Sequence, residues 1–485
     1  MKKNILILLL VIAGGGKQMV NGQVIAGGGN HSIFICSDST VRGWGANGFG
    51  QLGDSSTTQR ITPVKTKLLT HVISVAAGNN YSVALKDDGT VWACGYNFNY
   101  ELGDGTITSR KIPVQVHDSS NTGFLTDIIS ISCRGWHTLA LKNDSTVWAW
   151  GHSNWGALGI GYPMPITTVP VLVHGSGDIG FLSGIIAVAA GGVHSLALRS
   201  DSTVWAWGQG SHGELGVGPT INMYSPVQVH GPGDVGFLTG IVAIAAGATH
   251  SLALKNDGTL WSWGDNSFGQ LGDGSTTQRN TPVQVAGLTG IISIQTQGWL
   301  HSIALRNDST IWAWGRNNLG QLGTGDTIQW HIPVQIASSP SGDAITVVAG
   351  HLHSLGLNGN GEVWTWGSNL TGQLGDGTTI DRWTPVQVTN ACVIVGMQEL
   401  SSQTEPFLSP VPNSGSFTIT LPQSMSEAAI SIYNLMGEKV FERDKGQGTG
   451  DKGVVRINLS NVPAGIYFVR VSDGEKMFVR KIIKQ

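Results

Sequence analysis

The residues with the most evident chemical potential form a column. His31, His137, His194, His250, His301 and His353 each open a short segment of the type H-S-L-A-L, and Tyr81 holds the same place once. Imidazoles recurring so regularly could ring a metal ion. The Ser or Thr after each (Ser32, Ser82, Thr138, Ser195, Ser251, Ser302, Ser354) invites a serine–histidine reading. The pattern argues against both. A column shared by every copy and tolerant of Tyr serves the fold, its rings hydrogen-bonded as buried polar groups must be. Ser and His adjacent in sequence do not make the geometry of a triad. Gly208-Gln209-Gly210-Ser211-His212-Gly213 matches G-x-G-x-x-G, but no helix follows to hold a phosphate at its N-terminus. The D-G-T turns lack the D-x-[DN]-x-[DN]-G array of a calcium loop. No catalytic residue, metal ligand set or cofactor is expected.

Four cysteines stand at 36, 94, 133 and 392, with no C-x-x-C pair. Cys94 replaces a Trp of the other copies and Cys133 replaces the Ala seen at Ala190 and Ala246, so both read as small core residues. Cys36 and Cys392 lie near the two ends of the repeated region. Whether they pair is left open, because geometry decides it.

The column sits inside a larger repeat, roughly V-W-A-W-G-x-N-x-x-G-Q-L-G-D-G-T followed by P-V-Q-V. Its second aromatic position falls at 44, 94 (a Cys), 150, 207, 263, 314 and 366, a period of 50 to 57 residues. Such a period means a stacked or radial architecture. One unit contains four strand candidates: 241–245, 250–254, 260–263 and 281–285. The turn Lys255-Asn256-Asp257-Gly258-Thr259 supplies the positive φ that a tight hairpin requires. Pro282 cannot donate within a central ladder, so the fourth strand begins there or lies at an edge. Four antiparallel strands repeated seven times predict an all-β fold, a seven-bladed β-propeller. Closing the array into a ring also removes the exposed ends that a linear solenoid would have to cap.

Lys2 and Lys3 followed by an apolar run over 5–13 predict a signal peptide over 1–22. No second long apolar stretch exists, so no membrane span is expected in the mature protein. The propeller is assigned to 23–395, a polar linker to 396–408, and a small C-terminal β-sandwich to 409–485. All 17 tryptophans precede that tail, which is also richer in charge. Its predicted strands are 417–421, 429–435, 454–459, 466–471 and 477–483, with a hairpin turn at Ser472-Asp473-Gly474-Glu475. The formal net charge of -3 gives no electrostatic case for nucleic acid or an anionic membrane.

The units A-G-x-x-H-S-L-A-L-x-x-D-G-T-V-W-A-W-G-x-N-x-x-G-Q-L-G resemble the regulator of chromosome condensation repeat family over about residues 24 to 395. That resemblance implies a seven-bladed propeller. The family's founding member is a chromatin-bound exchange factor for a small GTPase, others are interaction modules, and a secreted bacterial β-lactamase inhibitor has a related propeller. Residues 409–485 resemble the type IX secretion system sorting domain. The matching pieces are Pro412-Asn413-Ser414-Gly415-Ser416-Phe417, Ile432-Tyr433-Asn434-Leu435-Met436-Gly437, L-S-N-V-P-A-G-I-Y-F-V-R-V from Leu459 to Val471, and Lys481-Ile482-Ile483-Lys484-Gln485. The family's usual Tyr-Pro-Asn-Pro start is Val411-Pro412-Asn413-Ser414 here. This resemblance implies export from a Gram-negative cell, with the tail engaging the type IX machinery and the propeller released or held on the outer surface.

What every copy shares serves the fold, so function is sought where copies differ. If strands alternate in direction, the turn before each His and the loop after each W-G share one end of the ring. The turns vary as Gly135-Trp136, Trp299-Leu300 and His351-Leu352, and the loops as Phe49, Asn99, Trp155, His212, Phe268, Leu319 and Thr371. Phe49, Trp136, Trp155, His212, Phe268, Trp299 and His351 are the candidate binding face, since aromatic side chains in variable turns suit recognition. The competing reading is that these rings cap the blade ends. The opposite end should hold the hairpins and three related inserts, beginning at His117, His174 and His230, whose Gly and Asp read as turn formers. The expected function is a secreted or surface-held module that binds an extracellular protein or glycan without catalysis. The alternatives are a GTPase exchange factor by family analogy, or an extracellular enzyme using a His–carboxylate pair that breaks the repeat.

Overall fold

Each repeat folds into one four-stranded antiparallel sheet whose strands follow in sequence order. In the fifth unit these are Ile241–Ala246, His250–Lys255, Leu260–Gly264 and Arg279–Gln284. His250–Lys255 is almost wholly buried on both faces, because sheets pack on either side of it; this is why it reads as a continuous apolar run rather than an alternating one. The fourth strand is the outer edge. Pro282 therefore sits within an edge strand, where its missing N–H costs no internal ladder bond. The computed structural model describes residues 23–162, 167–296, 298–336, 344–359, 361–389 and 391–392 of the repeated region. In the tail it describes 407–409, 416–420, 428–434, 439–444, 454–462, 465–472 and 477–484. The expected signal peptide lies outside the described residues, as does the expected linker apart from 407–408. The chain divides into two compact units, Met1–Val393 and Ile394–Gln485.

Seven blades form the first unit, a seven-bladed propeller. Their first strands neighbour one another in order and the seventh adjoins the first, so these strands surround the axis. The apolar core lies between blades rather than within them. Trp263 of blade 5, for example, is fully buried among Leu196, Leu198, Val204, Leu215 and Val229 of blade 4. Blade 1 comes wholly from the N-terminal end and blade 7 wholly from the C-terminal end, so the ring closes without exchanging a strand. A disulfide between Cys36 and Cys392 ties the two ends instead.

A recurring set of hydrogen bonds crosses each seam. The Ser251 hydroxyl and the Trp263 indole N–H of blade 5 both donate to the Glu214 carbonyl of blade 4, at 2.8 and 2.9 Å. Ser195 with Trp207 on Ala157, Ser302 with Trp314 on Gln270, and Ser32 with Trp44 on Gln373 repeat the arrangement. Each seam then receives a His from the preceding blade: His194 Nε2 lies 3.0 Å from Ser251 Oγ, and His353 Nε2 lies 2.9 Å from Ser32 Oγ. The Ser proton is committed to the carbonyl, so the imidazole is the donor and must be the neutral Nε2–H tautomer. Tyr81 replaces this bond by donating to the His137 carbonyl at 2.7 Å. Where blade 2 has Cys94 in place of Trp, its thiol faces the Gln51 carbonyl at 3.6 Å while Ser82 keeps the hydroxyl bond. Wherever the next blade carries the Trp, the glycine of the L-G step makes room for its indole. At Gly272, with φ +70°, a Cβ would stand 2.7 Å from Trp314 Nε1.

The second unit is two sheets, one of Phe407–Ser409, Ser416–Thr420 and Val454–Asn458 and one of Lys439–Arg443, Ala429–Asn434, Gly465–Ser472 and Met477–Lys484. Ile419, Val455 and Ile457 from one sheet share a buried cluster with Ile430, Ile432, Val469 and Val471 from the other. The strands Phe407–Ser409 and Lys439–Arg443 are absent from the sequence expectation. The expected turn after Ser472 falls on 473–476, outside the described residues, but Ser472 pairs with Met477 across it.

Two outcomes follow. Gly272→Ala forces a positive φ on a Cβ that meets an indole, and should cost about 2–4 kcal/mol in urea unfolding. Gly359→Ala, where a Cβ meets nothing, should stay within about 0.5 kcal/mol; equal effects would refute the seam packing. The second concerns pH. Burial lowers the column histidines, His31 to about 4, His137, His194, His301 and His353 to about 3, and His250 well below its usual value. They are neutral when folded and gain a proton on unfolding below pH 6.5. Stability is thus complete above that value and falls on acidification, by about 1.4 kcal/mol per pH unit for each such His. Glu101, raised by burial, and His212, raised by its Glu214 neighbour, oppose this. Unfolding free energy measured between about pH 5.5 and 6.5, above the range where ordinary carboxylates titrate, should show uptake of several protons; a flat profile would contradict the buried column.

Candidate functional site

The strand register decides which loops share an end. His250 pairs with Gly264, His137 with Gly151 and His301 with Gly315, so the turn before each His and the loop after each W-G lie together. At this end the turns are linked around the axis. Gly29 N–H donates to the Gly78 carbonyl, Asn79 to Gly135, Gly192 to Gly247, Trp299 to His351 and His351 to Gly28, at 2.9–3.1 Å.

The candidate residues stand on this rim in separate groups. Phe49, Trp136, Trp155 and Trp299 are 36%, 38%, 41% and 46% exposed, while His212, Phe268 and His351 are half-buried. Trp136 and Trp155 are joined through His152, whose ring centroid lies 5.9 Å from one and 6.2 Å from the other. Trp299 stacks on His351 with centroids 5.0 Å apart. Phe49 contacts Tyr96, which contacts Phe98, each at 4.9 Å. The Arg316 guanidinium lies 5.2 Å over Phe268, within cation–π range. Burial, with help from the Arg134 cation, holds His351 well below its usual pKa, so it presents a neutral ring. Trp155 has φ 61° inside the short turn Asn154–Gly156, an uncommon conformation for a bulky residue that costs on the order of 1–3 kcal/mol.

His152, Tyr96 and Arg316 were missed in the sequence, though a signal was present. They occupy one position, directly after the W-G glycine, and that position differs in every copy: Ala46, Tyr96, His152, Gln209, Asp265, Arg316 and Ser368.

On this rim one His–carboxylate pair among the described residues breaks the repeat, and the inserts at the opposite end hold two more, His174–Asp178 at 3.1 Å and His230–Asp234 at 2.6 Å. His212 Nδ1 lies 3.8 Å from the buried Glu214 carboxylate and 3.1 Å from Ser211 Oγ, and the carboxylate raises the His212 pKa. Serine and carboxylate thus approach the same ring nitrogen, whereas a triad places them on opposite ones. Glu214 instead accepts the His212 backbone N–H at 2.7 Å, the structural job that Gln270 performs for Phe268 in the next blade.

Exposed apolar groups also occupy the opposite end, which the sequence reading left to turn formers. The inserts close through bridges His117–Phe124, His174–Phe181 and His230–Phe237. Gly177 and Gly233 do take positive φ there. Yet Ile179 and Val235 at the insert tips are 82% and 77% exposed, and Phe124, Phe181 and Phe237 are more than half exposed. Varied residues therefore do not gather at a single end.

A family model described as the RCC1-like domain matches residues 63–402, and models of the regulator of chromosome condensation (RCC1) repeat match residues 24–51 and 38–85. A secretion system C-terminal sorting domain matches residues 408–485. The human E3 ubiquitin-protein ligase HERC2 is 32% identical over 254 residues, 52% of this chain but only 5% of that protein. The chain therefore spans a small fraction of that relative's length. The ultraviolet-B receptor UVR8 of Arabidopsis thaliana is 29% identical over 75% of this chain and 69% of its own. Among solved structures, human WBSCR16 superposes with TM-score 0.63 and 23% identity, over 72% of this chain and 94% of that one. Prp20p from Saccharomyces cerevisiae gives 0.61 and 21%, over 80% and 90%. Both likenesses concern the fold.

Proposed function

The chain belongs to the RCC1-like domain family, and from that premise we propose that it is an exported propeller which binds an extracellular protein or glycan and catalyses no reaction. The observation that carries this reading is the set of stacked, partly exposed aromatic groups on the turn-and-loop rim, built from positions where one blade differs from its siblings. Large rigid rings with polar edges are what binding interfaces concentrate at their energetic centres. The same-nitrogen geometry at His212 favours a non-catalytic role. The sorting domain over 408–485 supports passage to the cell surface or beyond through the type IX system of a Gram-negative cell. A disulfide joining the ends of the ring suits an oxidising compartment. Among the described residues no helix is long and apolar enough to cross a membrane.

Capture of partners from the organism's surroundings should fall at least about tenfold when Trp136, Trp155 and Trp299 are each changed to Ala, the loss of about 1.4 kcal/mol or more expected of hot-spot rings. Full capture by a folded triple variant would reject this rim. Deletion of 409–485 should leave a folded propeller retained within the cell envelope. Its normal appearance outside the cell would reject the sorting role.

A further inference from the structure

Six blades place a glycine three residues before the column residue: Gly28, Gly78, Gly191, Gly247, Gly298 and Gly350. Blade 3 places Arg134 there. Elsewhere the position is glycine for a steric reason, since a Cβ at Gly247 would stand 2.4 Å from His250 Cε1. Blade 3 departs from this at the cost of a rebuilt turn, with Gly135 at φ +54°. The side chain it gains runs inward. Arg134 Nη1 donates to the carbonyls of Thr296 and Gly298, at 3.1 and 2.9 Å, in blade 6 on the far side of the ring. The guanidinium is thus held across the axis at the level of the linked turns.

Arg134 is only 3% exposed. Its Nε and Nη2 are buried and bonded to no described residue. These two groups form the side-on fork of the guanidinium, whose parallel N–H bonds match the two oxygens of a carboxylate. The same edge takes a carboxylate elsewhere in this protein, there through a single oxygen: Arg60 Nε and Nη2 both donate to Asp54 Oδ2, at 2.8 and 2.6 Å. The titratable neighbours of Arg134 are no counter-ions. It faces His194, His250, His301 and His351, all held neutral by burial with Arg134 adding to the effect. Burial pushes Arg134 itself down to about 9, which leaves it cationic at neutral pH. An unpaired buried cation is strongly unfavourable unless something compensates it.

We infer that the axial mouth on the turn-and-loop rim is a carboxylate-binding site, with the Nε/Nη2 fork of Arg134 as its recognition element. This rests on the reading of that rim as the binding end. The approach is from the same end: Trp136 follows Arg134 by two residues, and Trp299 directly follows the Gly298 that holds it. Two blade-pinned hydrogen bonds fix the fork before any ligand arrives, so little ordering remains to oppose binding. The carboxylate is either that of a small acid or an acidic group of a protein partner.

The test uses the purified full chain. Sodium acetate titrated at constant ionic strength against sodium chloride should raise the melting temperature saturably. Arg134→Lys, which keeps the charge and loses the fork, should bind acetate at least about tenfold more weakly while retaining the wild-type circular dichroism. No saturable effect beyond chloride, or an equal effect in Arg134→Lys, overturns the proposal. If Arg134→Lys does not fold, wild-type crystals soaked in sodium acetate decide it. Carboxylate density bridging Nε and Nη2 supports the site, and its absence under saturating soak overturns it. Release of a captured protein by acetate assigns the fork to the partner's own carboxylate; capture that persists beside bound acetate assigns it to a small acid. Acetate binding is read without a partner, and the tryptophan variants are read without acetate, so the two readings fail separately.

Discussion

One carbonyl per seam organises this molecule. The backbone oxygen of Gln51, Ala157, Glu214, Gln270 or Gln373 takes a hydroxyl or indole hydrogen, or both, from the following blade. A carbonyl has two lone pairs, and using both inside a dry seam avoids the cost of a buried, half-satisfied acceptor. The histidine of the earlier blade completes the bond series by donating to the same hydroxyl. Each seam is therefore specified by direction as well as by apolar area. Blade 7 meets blade 1 through His353, Ser32, Trp44 and Gln373 with the same bonds that join blade 4 to blade 5, so the ring closes on side-chain chemistry where a shared strand is lacking.

That rigid frame explains why the two ends can vary. The seam residues lie between blades, and the turns are tied to one another through backbone bonds, which leaves the side chains at the turn tips free to vary. In blades 1, 2, 5 and 7 the W-G loop is still braced internally, for instance by Arg279 on Asp273 and Asn266 on the same carboxylate. Blades 3 and 4 replace that acid with Ile160 and Val217, which are buried. Trp155 in its positive-φ turn and the His212–Glu214 pair fall in those two unbraced loops. The departures thus occur together, in neighbouring blades that also carry the insert tips Ile179 and Val235 at the opposite end.

The propeller was legible because its constraints are local and repeated. Strand spacing, D-G turn chemistry and Pro282 fixed each element, and sevenfold recurrence separated scaffold from variation. The structural reading of the histidines was also accessible, since Tyr81 could replace one. Their partners were not, because Ser251 lies 57 residues from His194 and no spacing rule connects them. In the tail, Lys439–Arg443 escaped because a charged edge strand lacks apolar alternation. Arg134 is the most instructive omission. Comparison of the copies marks it as the one side chain in a glycine column, but a lone arginine carries no periodic or apolar signal. Its importance comes from reaching blade 6, a distance of 162 residues in sequence that only the closed ring makes short.

The cysteines tie this architecture to where the chain is sent. A disulfide between the ends of an array constrains a loop of 356 residues, and long loops are where cross-linking removes most unfolded-chain entropy. It can help only if the right thiols react. Burial pushes the Cys94 thiol up to about 12 and raises Cys133 further, so neither offers the thiolate that exchange requires. Both are enclosed in seams, Cys94 in the place of an indole and Cys133 beside Tyr81. Once the blades have stacked, ring closure holds Cys36 and Cys392 together, their Cα atoms 5.6 Å apart. Folding of the ring thus selects its own clasp, and the clasp can form without shuffling in the oxidising surroundings to which a sorting domain would deliver it.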